Sequence, residues 1–215
     1  MTNPATLLHI QASPRKERSH SFAVAQAFLD RYRALHGADS VATLDLWSTS
    51  LPPVDAATID AKFAVMSGSA FTPEQRQAWN NVIAHADNFK SAAGLLFTVP
   101  MWNRSIPYVL KHYIDLITQP GVLFQRTSAG YRPLGPDRPT LVVYASGSDF
   151  SSSAPLHPFD FQKPYFSDWL RFVGVTQIEE VVVAPTVGDP DALATAKAAA
   201  IQRVTGLAQS FRAAA

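Results

Sequence analysis

The chain has 215 residues, 47% of them apolar and 16% charged, with a formal net charge of +1; that fits one domain (1–215) with a real core and excludes a disordered chain. So small a net charge gives no strong field for nucleic acid or an anionic membrane, and the absence of cysteine excludes disulfides, thiolate metal sites and cysteine nucleophiles. No apolar run reaches membrane-spanning length, and the N-terminus lacks a basic region followed by an apolar stretch, so a cytoplasmic setting without membrane or nucleic-acid partners is expected.

Leu7-Leu8-His9-Ile10 reads as a first strand, followed by the polar loop Gln11 to His20. From Ser21, apolar residues at Phe22, Val24, Ala25, Phe28, Leu29 and Tyr32 recur at helical spacing, and Gly37 ends the pattern. Val41 to Leu44 is a short second strand. Leu46 to Ala70 is irregular and accommodates one short helix around Ala57 to Met66; so long a segment suggests a lid or an interface arm. Thr72-Pro73-Glu74-Gln75 carries a capping box with proline at the first helical position, opening a helix to about Lys90.

Ala93 to Phe97 is an apolar run without polar alternation, the mark of a strand buried on both faces. Thr98 to Ser105 is a loop, and Ile106-Pro107 opens a helix with apolar residues at Val109, Leu110, Tyr113, Ile114 and Ile117. A small hairpin is expected near 123–133, with its turn at Ala129-Gly130. Thr140 to Tyr144 is another buried strand, Phe161 to Val173 a helix, Val181 to Val183 part of the last strand, and Asp189-Pro190 caps a final helix to about Phe211. Five apolar strands alternating with helices argue for a mostly parallel sheet covered on both faces.

In such sheets ligands bind at the carboxyl ends of the strands. Three loops qualify. Ser13 to Ser21 carries hydroxyls at Ser13, Ser19 and Ser21 among Arg15, Lys16 and Arg18, and leads into a helix N-terminus, which favours an anion; the alternative is that Ser19 or His20 merely caps the helix. Pro100-Met101-Trp102-Asn103-Arg104 suits a flat aromatic ligand, or else is a rigid turn whose Trp caps the core. Ala145-Ser146-Gly147-Ser148 is the third. Neither the dinucleotide fingerprint nor the P-loop pattern is present. The six histidines show no metal-ligand spacing and no metal is expected; Glu179-Glu180 and Asp189/Asp191 read as solvated or capping carboxylates.

The ordered set Pro100-Met101-Trp102-Asn103, Ile106-Pro107, Leu110-Lys111, Ile114-Asp115 resembles the flavin-contacting motif of the FMN-dependent NADH-azoreductase and quinone reductase family. Asp160 to Tyr165 and Phe172 to Val175 resemble a second family stretch. The resemblance implies a doubly wound, flavodoxin-like five-stranded parallel sheet in the order 2-1-3-4-5. It implies non-covalent FMN, with its phosphate at Ser13, Ser19, His20 and Ser21 and its ring at Pro100, Met101, Trp102, Asn103 and Arg104. The Ala145, Ser146 and Gly147 stretch would meet the pyrimidine edge. Arg104 stands where the family more often has an aromatic residue, and can instead pair with a nucleotide phosphate or an acidic acceptor. The implied activity is ping-pong transfer of hydride from NADH or NADPH through FMN to a flat quinone or azo compound, without an indispensable acid–base side chain. A homodimer is implied, Leu46 to Phe71 being the candidate arm over the neighbour's flavin. A free-flavin reductase, an electron carrier and a non-enzymatic module that has lost its cofactor are the alternatives.

Overall fold

The computed structural model describes residues 6–211. Its centre is a five-stranded sheet of β1 (Leu7–Gln11), β2 (Val41–Asp45), β3 (Gly94–Pro100), β6 (Thr140–Ala145) and β7 (Ile178–Val183). The spatial order is β2-β1-β3-β6-β7 and every pairing is parallel, which is the expected 2-1-3-4-5 order of the sheet's own strands. The crossovers are α1 (His20–His36), α3 (Pro73–Ser91), α4 (Tyr108–Ile117) and α5 (Lys163–Phe172), with the short α2 (Ala56–Ser67) ahead of α3; α6 (Pro190–Ser210) follows the last strand and packs back on α1.

Successive strand residues point to opposite faces, and here both faces are covered. Leu7, Leu96, Leu141, Val143 and Val181 join Val24 and Phe28 of α1 and Val204 of α6 in one core. Leu8, Ile10, Leu95, Phe97 and Val142 join α3, α4 and α5 in the other. That is why β3 and β6 read as unbroken apolar runs.

Local chemistry sets the boundaries. Thr72 accepts from Gln75 N–H and the Gln75 side chain returns the bond, completing the capping box at α3. Asp55 caps α2 by accepting from Thr58 N–H, and Asp189 caps α6 by accepting from Asp191 N–H. Pro107 lies at the N-cap of α4, one residue before the helix. The hairpin is β4 (Phe124–Thr127) with β5 (Gly130–Pro133). Its two loop residues are Ser128 and Ala129, so the turn lies one residue earlier than expected. Gly130 opens β5 at φ 118°, a value that needs glycine.

Because the five strands are parallel, their carboxyl ends share one edge. The stretches after Gln11, Asp45, Pro100 and Ala145 all leave from it.

Candidate functional site

The first loop is pinned to the sheet by Ala12 N–H donating to Thr98 O at 3.1 Å. It makes one 3-10 turn at Lys16–Arg18 before α1. Ser13, Ser19 and Ser21 are all buried. Ser19 is the N-cap of α1 yet makes no capping bond; its hydroxyl meets that of Ser21 at 3.1 Å instead. The N–H groups of His20, Ser21 and Phe22 have no partner among the described residues, Ala23 N–H being the first to return, to Ser19 O. Simple capping therefore does not account for these serines. Buried hydroxyls beside open helix N–H donors suit a phosphate. Burial, then the charges of Arg15 and Lys197, push the His20 imidazole below its ordinary value, so at neutral pH it is uncharged and still a hydrogen-bond donor.

Lys16 is not available to such an anion. It sits at φ 51° and its ammonium pairs with Asp45 at the end of β2. Burial alone would raise the Asp45 carboxyl. Hydrogen bonds from Lys16, the Ser48 hydroxyl and Trp47 N–H, with the charge of Lys16, outweigh it and hold the carboxyl below its usual range. Arg15 and Arg18 form no ion pair among the described residues and are the cations left to the loop.

The second loop is a tight reversal. Trp102 and Ser105 exchange both backbone hydrogen bonds, at 2.8 and 2.9 Å. Between them Asn103 and Arg104 have φ of 49° and 70°, the pattern of a type I′ turn. Asparagine tolerates that region well; arginine does so at a cost. The reversal presents both side chains to solvent. Met101 N–H donates to Ala145 O at 2.7 Å, fixing the turn to the third loop. Phe161 N–H donates to Arg104 O at 2.9 Å, fixing it to the segment before α5.

Two aromatic residues outside the sequence motif complete this wall. Trp47 lies 5.5 Å from Trp102 and 5.4 Å from Tyr108, ring centre to ring centre, and its indole N–H donates to Ala12 O at 3.0 Å. Trp47 thus joins the first loop to the second. Beside the turn is an open pocket of about 680 Å³, whose lining includes Trp102, Asn103, Tyr108, His112 and Tyr165.

The third loop is tied back to the chain after β7. Ser146 O accepts from Thr186 N–H and hydroxyl, both at 3.0 Å, and Gly147 O accepts from Val187 N–H at 3.2 Å. A Cβ on Gly147 would meet Val187 at 3.4 Å, an ordinary contact, so nothing within the chain demands glycine there. The structure therefore brings all three loops to one edge: the buried hydroxyls, the Met101 to Arg104 turn and the Ala145 to Gly147 stretch. Glu180 is a correction. It is not simply solvated, because it accepts from the hydroxyls of Tyr144 and Ser167; Glu179 pairs with Arg203 at 3.3 Å.

Known proteins are similar to this chain in sequence and in fold. Residues 5–206 match the family model described as "Flavodoxin-like fold". A Pseudomonas fluorescens protein named FMN-dependent NADH:quinone oxidoreductase 3 is 40% identical, covering 96% of this chain and 97% of its own. The FMN-dependent NADH:quinone oxidoreductase of Nitratidesulfovibrio vulgaris is 39% identical over 96% of this chain and 100% of its own. Among solved structures, an azoreductase from Bacillus anthracis superposes with a TM-score of 0.87 at 28% identity, over 96% of this chain and 100% of that one. An FMN-dependent NADH-azoreductase from the same species, solved with FMN, gives 0.82 at 26% identity, over 94% and 99%.

Proposed function

The chain belongs to the family of the flavodoxin-like fold, and from that membership we propose that it is an FMN-dependent oxidoreductase carrying electrons from NADH to quinones and azo compounds. The observation that carries the proposal is the set of buried hydroxyls below the open N-terminus of α1, on the same edge as the positive-φ turn at Asn103 and Arg104. One part suits a single phosphate and the other a flat ring with polar edges. The balanced conversion is NADH, a proton and a quinone to NAD⁺ and a hydroquinone; full cleavage of an azo bond to two amines takes two NADH and two protons.

FMN, when bound, supplies the two-electron relay between donor and acceptor. The residues of this chain bind, orient and enclose. Ser13, Ser19 and Ser21 would donate to the phosphate with the first N–H groups of α1, and the His20 imidazole would add a further donor. Pro100 and Met101 would hold the ring through their backbone, and Asn103 would offer it a carboxamide. Trp102, backed by Trp47 and Tyr108, would give the ring an apolar wall to lie against. Ala145, Ser146 and Gly147, joined to the turn by Met101 N–H, would border the ring as well. His112, which lines the pocket beside the turn, is hydrogen-bonded to Pro52 O, which accords with proton supply from solvent.

The unit acts as one domain, as a homodimer in the cytoplasm. Phe63 and Met66, exposed at 59% and 56% on the outer side of α2, give the Leu46 to Phe71 arm apolar surface to bury against a second copy. The functional test is an absorption spectrum of the purified protein, taken before and after FMN is added and excess removed. Retained flavin bands that NADH bleaches without air, and that menadione restores, are the expected result. Protein that retains no FMN would refute the proposal.

A further inference from the structure

On the premise of the oxidoreductase function proposed above, we propose that Arg104 selects flat acceptors bearing an oxyanion, such as an aryl sulfonate or carboxylate, by pairing with that group at the edge of the acceptor site. Three observations point to it. First, the Arg104 guanidinium lies 4.5 Å from the centre of the Phe159 ring. A cation–π contact holds the charge in place without neutralising it. Second, no carboxylate lies within ion-pair distance of Arg104 among the described residues. Asp160, on the adjoining segment, pairs with Lys163 at 2.5 Å. Third, the rings on this segment are open: Phe159, against the guanidinium, is 42% exposed, and Phe161, whose N–H meets Arg104 O, 55%. An exposed aromatic ring with an unpaired planar cation against it is complementary to an aromatic anion.

The backbone favours a fixed rather than a roaming arginine. Arg104 is held at φ 70° by the exchange of hydrogen bonds between Trp102 and Ser105, and its own carbonyl is held by Phe161 N–H. The same hydrogen bond seats the phenylalanine segment against the turn. Charge and ring are therefore positioned together, so little ordering is left to oppose binding. The guanidinium donates to the oxyanion while the ring system of the acceptor lies over the phenylalanines.

An oxyanion is also carried by the nucleotide co-substrate, and the experiment separates the two sources. FMN-loaded wild-type, Arg104→Gln and Arg104→Lys proteins are assayed with 1,4-naphthoquinone-2-sulfonate and with the neutral 2-methyl-1,4-naphthoquinone. The NADH half-reaction is followed separately by anaerobic stopped flow. Binding of redox-inert naphthalene-2-sulfonate to the FMN-loaded protein is measured by calorimetry.

The expected result for Arg104→Gln is a drop of roughly fivefold to tenfold in the ratio of kcat/KM for the sulfonate to that for the neutral quinone, the range for a charge-assisted contact at a partly exposed site. A parallel weakening of naphthalene-2-sulfonate binding is expected, with partial recovery in Arg104→Lys. Raised salt should shrink the wild-type preference. An equal fall with both quinones, a loss confined to the NADH half-reaction, or a change of oligomeric state with the ratio intact would each overturn the proposal. Failure to retain FMN in the wild-type protein would instead remove the function on which it rests.

Discussion

Replacing Asp45 with asparagine tests how the phosphate loop is held. The Asp45 carboxylate pairs with Lys16 and accepts from the Ser48 hydroxyl at 2.6 Å and from Trp47 N–H at 3.1 Å. Its side chain is 21% exposed and that of Lys16 36%, so the pair itself is discounted for screening to about 1 kcal/mol. Asparagine keeps an acceptor for Trp47 but turns an amide or an uncharged oxygen toward the ammonium, costing up to about 1 kcal/mol more. The strain of Lys16 at φ 51°, about 1 kcal/mol, is present in both proteins and drops out of the difference. Asp45→Asn should therefore lose about 2 kcal/mol, a fall in Tm of roughly 4–8 °C for a chain of this size. FMN affinity should fall about fivefold because the loop is less ordered.

Lys16→Gly separates the two terms. Glycine removes the strain and the ion pair together, so those contributions nearly cancel and stability should stay within about 0.5 kcal/mol of wild type. The sign with pH follows from the carboxyl of Asp45 being held low. Its contribution is present above the ordinary carboxylate range and is lost as pH falls through the lowered value. Wild type and Asp45→Asn should accordingly converge in acid. Thermal melts across pH and FMN titrations by flavin fluorescence check all three statements. If Lys16→Gly weakened FMN tenfold while Asp45→Asn left it untouched, Lys16 would be serving the phosphate directly and the latch would be wrong.

Ser19→Ala should lower FMN affinity by about tenfold, while costing the apo protein less than the ~1 kcal/mol of an ordinary N-cap, because Ser19 makes no capping bond; apo melts and FMN titrations separate the two. Asn103→Ala should lose about 1 kcal/mol of stability at φ 49° as well as FMN affinity, whereas Asn103→Gly should lose affinity alone. Asp137 accepts from Thr176 N–H at 2.8 Å and from its hydroxyl at 2.7 Å. Burial would raise its carboxyl, but the bonds from Thr176 and Gln177 outweigh it and bring it down to about 2. Asp137→Ala should cost about 1 kcal/mol after allowance for exposure, a difference present above pH ~4 and fading as pH falls toward 2 in acid-unfolding curves.

The sheet was legible because burial on both faces leaves an unmistakable mark. Ala93 to Phe97 and Thr140 to Tyr144 have no polar alternation, and they became β3 and β6 in the middle of the sheet. The Thr72 to Gln75 box was legible because capping is settled within four residues. β7 was only half legible. Its first residues, Ile178-Glu179-Glu180, look like solvent-facing chain, and Glu180 enters the strand because Tyr144 and Ser167 supply its partners from elsewhere in the fold. The hairpin turn was misplaced by one residue because Gly130 drew it. That glycine serves the first position of β5 at positive φ rather than the loop.

The three site loops were legible for the same local reason: each carries its polar groups in a short run directly after a strand. What the chain order concealed is how they are joined. Trp47 meets Trp102 and Tyr108 across 55 and more residues, and no period or spacing announces such a contact. Lys16 looked like one of three interchangeable cations, and only the parallel pairing of β1 with β2 brings Asp45 within reach of it. The linkage has a functional side. Asp45 holds Lys16 and Trp47 N–H, Trp47 holds Ala12 O and packs on Trp102, and Met101 N–H holds Ala145 O. The hydroxyl cradle, the aromatic wall and the third loop are thus fastened to one another independently of any ligand. An FMN site at this edge, as proposed, would be largely ordered before its ligand arrived, and the ordering entropy that otherwise opposes binding would have been met in folding.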